Sequence, residues 1–118
     1  MLFRSGRPVA GFQLTQRKLV EMLTQVNNSY LLALHLGRLK DTGALHPEQV
    51  SFGKLHNVPT ALEVARTART ILGANGITLE YPVMRHMVNL ESVLTYEGTS
   101  EIHTLVVGQA ITGIAAFH

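Results

Sequence analysis

The carboxylate of Glu97 is the side chain in this sequence whose setting best suits acid–base chemistry. It stands in the short polar stretch Tyr96-Glu97-Gly98-Thr99, between two apolar segments. Tyr96 and the flanking segments are expected to desolvate the carboxylate and so strengthen it as a general base. Gly98 would let a substrate approach the backbone closely, and Thr99 would offer donors to an anion or a polar ligand. A solvated carboxylate or a helix cap is the alternative role for Glu97.

Other residues that could bind metal or phosphate lack the required spacing. The six histidines contain no pair at helical ligand spacing and no acidic partner of the HExxH kind, so we predict no metal site. The run Gly73-Ala74-Asn75-Gly76 lacks the downstream lysine and hydroxyl residue of a phosphate loop, and its position after an apolar segment indicates a helix stop. Met22, Met84 and Met87 lie at helical positions typical of core filling.

The composition excludes several classes of function. The chain contains no cysteine, which excludes disulfides, thiol catalysis and cysteine-bound metals. The net charge is +2, and only Arg17 and Lys18 are adjacent among the basic residues, so we expect no nucleic-acid partner. No apolar run is long enough for a membrane span, and we expect a soluble intracellular protein. With 46% hydrophobic and 15% charged residues, part of the apolar surface is expected to contact another chain or domain.

Apolar periodicity predicts an all-α, four-helix up-and-down bundle without a sheet. The first helix is predicted over residues 14–39. Its apolar stripe consists of Leu14, Leu19, Leu23, Val26, Tyr30 and Leu34. The second helix is predicted from Pro47 to Leu72, and Pro59 is expected either to kink it or to begin a new helix.

Two shorter helices complete the predicted bundle. The third is expected to open at Tyr81-Pro82 and to end before Gly98. Thr99 or Ser100 is expected to cap the fourth, with Glu101 in its first turn, where the helix dipole favours an acid.

The stretch LTYEGTSEIH, residues 94–103, resembles the hinge of the acyl-CoA dehydrogenase family, in which Tyr-Glu-Gly-Thr-Ser-Glu-Ile is highly characteristic. The similarity extends over nearly the whole chain and is greatest to the glutaryl-CoA dehydrogenase branch. The other matching segments are Gly6-Arg7-Pro8, Phe12-Gln13, Ala65-Arg66, 72–77, Arg85-His86, 89–91 and 110–113. The resemblance implies that residues 13–118 form the C-terminal helical domain of a longer protein. Residues 1–12 are interpreted as an irregular segment that looks truncated.

The resemblance implies FAD-dependent oxidation of an acyl-CoA thioester between its α and β carbons. Glu97 would be the base that removes the α proton, and the glutaryl branch would also decarboxylate its product to crotonyl-CoA. Electron-transfer flavoprotein would accept the electrons, and the protein would be a homodimer or homotetramer. It would work in the cytoplasm of a bacterium or in the mitochondrial matrix of a eukaryote. An isolated C-terminal fragment is expected to be inactive.

The resemblance also implies which residues contact ligands. Gly98 would lie against the substrate thioester, and Tyr96 would also contact the substrate. The positions matching FAD contacts are Gln13, Thr99, Glu101 and Phe117, together with Thr70, Ile71, Leu72, Gly73 and Ala74. This last group would meet the adenosine end of FAD across a subunit interface.

The sequence departs from the family pattern at its start. Leu2 stands where the family has an arginine expected on the FAD pyrophosphate, and Ser5 replaces a phenylalanine. Ala74 stands where a second glycine is common. The two preceding domains that supply much of the flavin and acyl pockets are also missing. Two alternatives therefore remain: a non-catalytic helical oligomerisation or binding module, and another dehydrogenase or oxidase branch.

Overall fold

Four helices form most of the molecule in the computed structural model, which describes residues 2–116. They are α1 (Gln13–Asp41), α2 (Pro47–Leu72), α3 (Val83–Thr95) and α4 (Ser100–Thr112). The prediction of an all-α, four-helix domain is confirmed. Each predicted helix is present; the bounds of α2 match the prediction, and those of α1 differ from it by one and two residues.

A small β-hairpin precedes the helices. The strands β1 (Phe3–Arg4) and β2 (Arg7–Pro8) pair antiparallel around Ser5 and Gly6. Both turn residues have positive φ, 51° and 75°, as the favoured two-residue hairpin turns require. A 3₁₀ turn over Val9–Gly11 then leads into α1. The expectation of no sheet is wrong here, because strands of two residues are too short to show an alternating pattern.

Both ends of α2 follow from local chemistry. The Gln49 side chain accepts a hydrogen bond from the backbone N–H of His46 at 2.8 Å, in front of Pro47 in the first turn. At the other end Gly73 takes a φ of +62° and a 3₁₀ turn runs over Gly73–Ile77. A Cβ on the buried Gly76 would lie 2.5 Å from the Arg69 carbonyl oxygen. The prediction of a helix stop at this glycine run is confirmed.

Helix α2 runs without interruption through Pro59. The alternative that a new helix begins there is wrong. A proline inside a helix removes one backbone hydrogen bond and crowds the preceding turn. Helix α2 nevertheless packs against α1, α3 and α4, and such tertiary packing supplies most of the stability of a helix in a protein.

Side-chain contacts define how the helices run past α2. The Asn57 amide donates to the Ser29 carbonyl at 3.1 Å, while Gly53 faces Leu36 so closely that a Cβ would lie 2.4 Å from its Cδ1 atom. Later residues of α2 therefore face earlier residues of α1, so the two helices are antiparallel. Arg66 on α2 meets Glu91 on α3 at 2.9 Å.

The predicted apolar stripe of α1 does not face α2. Its six residues are all exposed: Leu14, Leu19, Leu23, Val26, Tyr30 and Leu34. A second apolar stripe, half-buried and directed towards α2, is formed by Met22, Leu32, Leu36 and Leu39. Periodicity identifies apolar stripes but does not say which one packs within the chain.

The molecule is elongated and buries little of its apolar surface. Among residues 2–116 the buried hydrophobic side chains are those of Leu62, Ala65 and Val83. Its extents are 59 × 26 × 24 Å and its radius of gyration is 17.9 Å, compared with roughly 13–14 Å for a compact domain of this length. The predicted core methionines are only half-buried.

Candidate active site

The hinge between α3 and α4 reverses the chain with two consecutive residues of positive φ. Tyr96 is extended, Glu97 has a φ of +54° and Gly98 has a φ of +101°. Thr99 then occupies the N-cap position of α4 in an extended conformation. A left-handed conformation costs an L-residue about 1–2 kcal/mol, so the backbone of Glu97 is strained. Such outliers concentrate at functional sites.

The side chain of Glu97 is exposed, and the Tyr96 ring beside it is 52% exposed. Helices α3 and α4 pack on α2 and do not cover the carboxylate. The expectation that Tyr96 and the flanking helices desolvate Glu97 is therefore wrong for residues 2–116.

Lys54 of α2 forms hydrogen bonds to the backbone of the hinge. Its Nζ atom donates to the carbonyl oxygen of Gly98 at 2.8 Å and also to that of Tyr96. The same ammonium group lies 5.5 Å from the centroid of the Tyr96 ring, within range of a cation–π interaction. Lys54 cannot be linked to the hinge from the sequence, because the two are more than forty residues apart and leave no spacing signal.

Gly98 packs against the ring of His103. A Cβ at position 98 would lie 2.9 Å from His103 Nε2, so this contact requires a glycine. Both ring nitrogens of His103 are buried without a hydrogen-bond partner among residues 2–116. The glycine thus serves a contact inside the chain, and its contact with a substrate stays a prediction.

The first turn of α4 carries Glu101, as predicted. Its own backbone N–H donates to the carboxylate and lowers the pKa of Glu101, and a hydrogen bond from the Thr99 hydroxyl lowers it further.

The residues predicted to contact FAD do not form one cluster within the chain. Thr99 and Glu101 adjoin the hinge, which Lys54 contacts. The turn Thr70–Ala74 lies at the far end of α2. Lys54 and Thr70 are sixteen residues apart on this continuous helix, a distance of roughly 24 Å.

The residues predicted to bind the adenosine end of FAD differ in their exposure to solvent. Thr70, Gly73 and Ala74 are exposed, whereas Ile71 and Leu72 are half-buried. Gln13 is the exposed first residue of α1. Because α1 and α2 are antiparallel, Gln13 lies towards the same end of the molecule as the turn. Phe117 lies outside the described residues.

A well-formed groove lies away from the hinge glutamate. It has a volume of about 740 Å³ and is lined by α1, α2, the end of α3 and the start of α4. Its lining includes Met22, Glu63 and Leu94 and reaches Ser100, but Glu97 is not part of it. Residues 2–116 therefore supply the carboxylate without an enclosing substrate pocket.

Between residues 2 and 116, His, Asp and Glu side chains form no group of three able to hold a metal ion. None of the helices there is both long and apolar enough to cross a membrane.

Comparison with known proteins links this geometry to one family. The family model described as "Acyl-CoA dehydrogenase, C-terminal domain" matches residues 4–112. A glutaryl-CoA dehydrogenase structure from Mycobacterium smegmatis is similar over 99% of this chain and 30% of its own, with 66% identity and a TM-score of 0.95. A second glutaryl-CoA dehydrogenase structure from that organism, in complex with FADH2, has 54% identity over the same shares, also with a TM-score of 0.95.

A plant relative shows the same partial coverage. The mitochondrial 2-methylacyl-CoA dehydrogenase of Solanum tuberosum is 35% identical over 106 residues, which are 90% of this chain and 26% of the relative. The chain thus spans about a quarter of that relative's length. The resemblance inferred from the hinge is confirmed, including its similarity to the glutaryl branch. The chain belongs to the acyl-CoA dehydrogenase family and corresponds to its C-terminal domain.

Proposed function

We propose that this chain is the C-terminal domain of an FAD-dependent acyl-CoA dehydrogenase in which Glu97 is the catalytic base. The observation that carries the proposal is the backbone of Glu97, a carboxylate held at a φ of +54° in the family's hinge sequence. Folding alone gives no reason to keep a strained glutamate beside a glycine, whereas a reaction that needs a carboxylate at this point does.

The reaction removes a proton and a hydride from neighbouring carbons. The Glu97 carboxylate takes the α proton of the thioester, which is only weakly acidic. The developing negative charge on the thioester oxygen needs hydrogen-bond donors. The backbone N–H of Glu97 makes no hydrogen bond to another backbone group in residues 2–116 and is available as one of them.

Bound FAD would supply the acceptor for the β hydride. The residues present fit such a group, since Gln13, Gly73 and the start of α4 at Thr99 offer an exposed amide, a turn and a helix N-terminus. Thr99 and Glu101 would lie at the flavin end beside the base. The turn over residues 70–74, roughly 24 Å away along α2, would serve the adenosine end of a second FAD across a subunit interface.

The substrate class is an acyl-CoA thioester, with Tyr96 and Gly98 as its contacts in this chain. The 66% identity to a glutaryl-CoA dehydrogenase supports glutaryl-CoA as the substrate, with decarboxylation to crotonyl-CoA as the second step. Electron-transfer flavoprotein is the proposed electron acceptor. The relatives come from a bacterium and from a plant mitochondrion, which supports a cytoplasmic or a mitochondrial-matrix location according to the source.

An assembly is part of the proposal. The exposed carboxylate and the separated FAD-binding groups leave the site incomplete in one copy of residues 2–116, so we propose a homodimer or homotetramer and an inactive isolated fragment. The small core favours a second candidate function, a non-catalytic oligomerisation module. The visible spectrum of the purified full-length protein after incubation with FAD and gel filtration separates the two. A retained flavin band supports the enzyme domain, and a colourless oligomer supports the module.

Glu97→Gln in the full-length enzyme tests the role of the base. The amide keeps the shape of the side chain but cannot take a proton, so exchange of the substrate α proton with solvent should fall by at least about a hundredfold while FAD stays bound. Glu80→Gln, which removes an exposed carboxylate outside the hinge, is the matched control and should keep normal exchange. Unchanged exchange in Glu97→Gln would sink the assignment.

A further inference from the structure

We propose that Lys54 is a positioning residue for catalysis, which fixes the backbone on both sides of Glu97 and so aims its carboxylate. This inference rests on the proposed function, because it assumes that Glu97 is the base. Lys54 does not touch the reacting atoms. It acts through the two carbonyl groups that flank the glutamate.

The contacts of Lys54 hold the hinge at two points, one before Glu97 and one after it. The Nζ atom of Lys54 donates to the carbonyl of Tyr96 and, at 2.8 Å, to the carbonyl of Gly98. The backbone of Glu97 and Gly98, the two residues of positive φ, lies between these two carbonyls. The ring of Tyr96 also lies 5.5 Å from the ammonium group, so the residue before the base is held by its backbone and by its side chain. A rotation of the hinge about Glu97 would break these contacts together.

The donor is well suited to this task. An ammonium group has three N–H donors, and hydrogen bonds from a charged donor are stronger than those from a neutral one. Lys54 is half-buried on α2. Because α2 packs against all three other helices, the backbone from which the Lys54 side chain extends is held in place. The hinge lies after the last residue of α3 and before the first residue of α4. Its carbonyls therefore lack intrahelical hydrogen bonds and need side-chain donors such as the Lys54 ammonium group.

The physical consequence concerns the rate more than the binding of substrate. A left-handed glutamate returns to a more common backbone region when its restraint is lost, and this moves the carboxylate. Displacement of a reacting group by about 1 Å can lower a rate a hundredfold. Only the thioester end of the acyl-CoA would contact the hinge, through Tyr96 and Gly98, so substrate affinity should change less than the rate. A lysine that merely joined α2 to the hinge would change stability without this split between kcat and KM.

The experiment compares Lys54→Met, Lys54→Arg and the control Lys40→Met in the full-length enzyme. Lys40 is an exposed lysine at the end of α1, and its replacement removes the same charge far from the hinge in sequence. We expect Lys54→Met to lower kcat at least about tenfold with KM changed less than about twofold and FAD content unchanged. Lys54→Arg, which keeps a charged donor, should recover most of kcat. Lys40→Met should match the unsubstituted enzyme.

Hydrogen exchange gives a second, independent readout. In Lys54→Met the amides of Tyr96 and His103, which are hydrogen-bonded to Ser92 and Thr99 on either side of the hinge, should exchange faster than in the unsubstituted chain, and those within α1 should not change. If Lys54→Met does not fold, Lys54→Gln, whose amide can donate to one of the two carbonyls, takes its place with the same expectation for kcat.

Two results overturn the inference. One is a kcat within about twofold of normal in Lys54→Met or Lys54→Gln, and the other is a fall in kcat that Lys54→Arg does not relieve. Failure of the proposed function looks different, because the unsubstituted enzyme itself would then exchange no α proton of any acyl-CoA. The hydrogen-exchange comparison would still report whether Lys54 restrains the hinge.

Discussion

At position 98 a side chain is excluded for two separate reasons. The φ of +101° lies in a region that L-residues rarely adopt, and a Cβ would also lie 2.9 Å from Nε2 of His103. Strain of the first kind costs about 1–3 kcal/mol. The second would force the histidine ring to shift against its surroundings, in which both of its nitrogens are already buried.

We therefore predict that Gly98→Ala lowers the free energy of unfolding by about 2 kcal/mol, because both penalties fall on the folded state. Denaturant unfolding followed by circular dichroism measures this difference. Gly108→Ala is the matched control, since Gly108 lies inside α4 with no atom within 4 Å of an added Cβ. It should stabilise the chain by roughly 0.5–1 kcal/mol, the usual gain of alanine over glycine in a helix. Equal effects of the two variants would contradict the account of Gly98.

The residues of the candidate site divide clearly into those that the sequence could reveal and those that it could not. Glu97, Gly98 and Thr99 are contiguous and carry a recognisable pattern, so they were found. Lys54 meets them only because α2 packs under the hinge, and contacts between distant positions leave no mark on local spacing. The exposure of Glu97 was also missed, since a neighbouring aromatic residue in sequence need not cover a carboxylate in space.

Among the elements, the start of α4 shows how a short polar sequence ends one helix and begins another. Thr99 has the extended N-cap conformation, and the Glu101 carboxylate accepts a hydrogen bond from its own backbone N–H. This bond, followed by the one from the Thr99 hydroxyl, lowers the pKa of Glu101 below its usual value of 4.5. A depressed pKa in the folded state means that the ionised form stabilises the fold. The contribution is complete above pH 4.5 and is lost as the pH falls through the lowered folded-state value.

We predict that Glu101→Gln destabilises the chain at pH 7 and that the difference from the unsubstituted chain disappears as the pH falls below 4.5. Thermal unfolding measured in steps from pH 7 to pH 3 tests this. Thr99→Val, which removes the second cause of the shift, should show a smaller effect with the same direction of pH dependence. A difference that stays constant over the whole range would show that the charge of Glu101 is not responsible.

The elements differ in how far the sequence specifies them. The four helices were predictable because each contains several turns of apolar periodicity and ends at glycine, proline or a hydroxyl residue. The hairpin at Ser5-Gly6 was not, since two residues per strand carry no period. The continuity of α2 through Pro59 could not be predicted, because it depends on the packing of α2 against the three other helices. For α1 the period was recognised but the inward face was not, as both of its apolar stripes have helical spacing.

The whole molecule exposes far more large hydrophobic side chains than it buries. Tyr30 is 66% exposed and Leu23 is 62% exposed. Both belong to the exposed apolar stripe of α1 that was predicted from the sequence, called the outer stripe below. Large exposed apolar patches on a water-soluble domain mark surfaces that contact another chain or domain. The elongated shape exposes this stripe along a helix of 29 residues, roughly 43 Å long.

We predict that the chain self-associates at micromolar concentration and that the double variant Leu23→Lys/Tyr30→Lys shifts it strongly towards monomer. Burying two ammonium groups in an apolar contact is costly, so the substitutions should weaken association at least about tenfold. Sedimentation velocity measures the distribution of species. Thr24→Lys/Asn28→Lys adds the same charge on another face of α1 and serves as the control. A monomeric unsubstituted chain, or equal dissociation by the control, would contradict this role for the outer stripe.

Because Glu97 has a left-handed backbone, the residue that would give the most stable fold at this position differs from the residue that catalysis needs. Glycine adopts this region without penalty and asparagine with little, so either would make the fold easier to maintain. Selection for folding alone would therefore replace the glutamate, and only continued use of its carboxylate keeps it in place. A copy of this domain released from catalysis is expected to lose Glu97 early and to gain stability as it does so. The residue that the fold least favours is thus an indicator of whether the site is still in use.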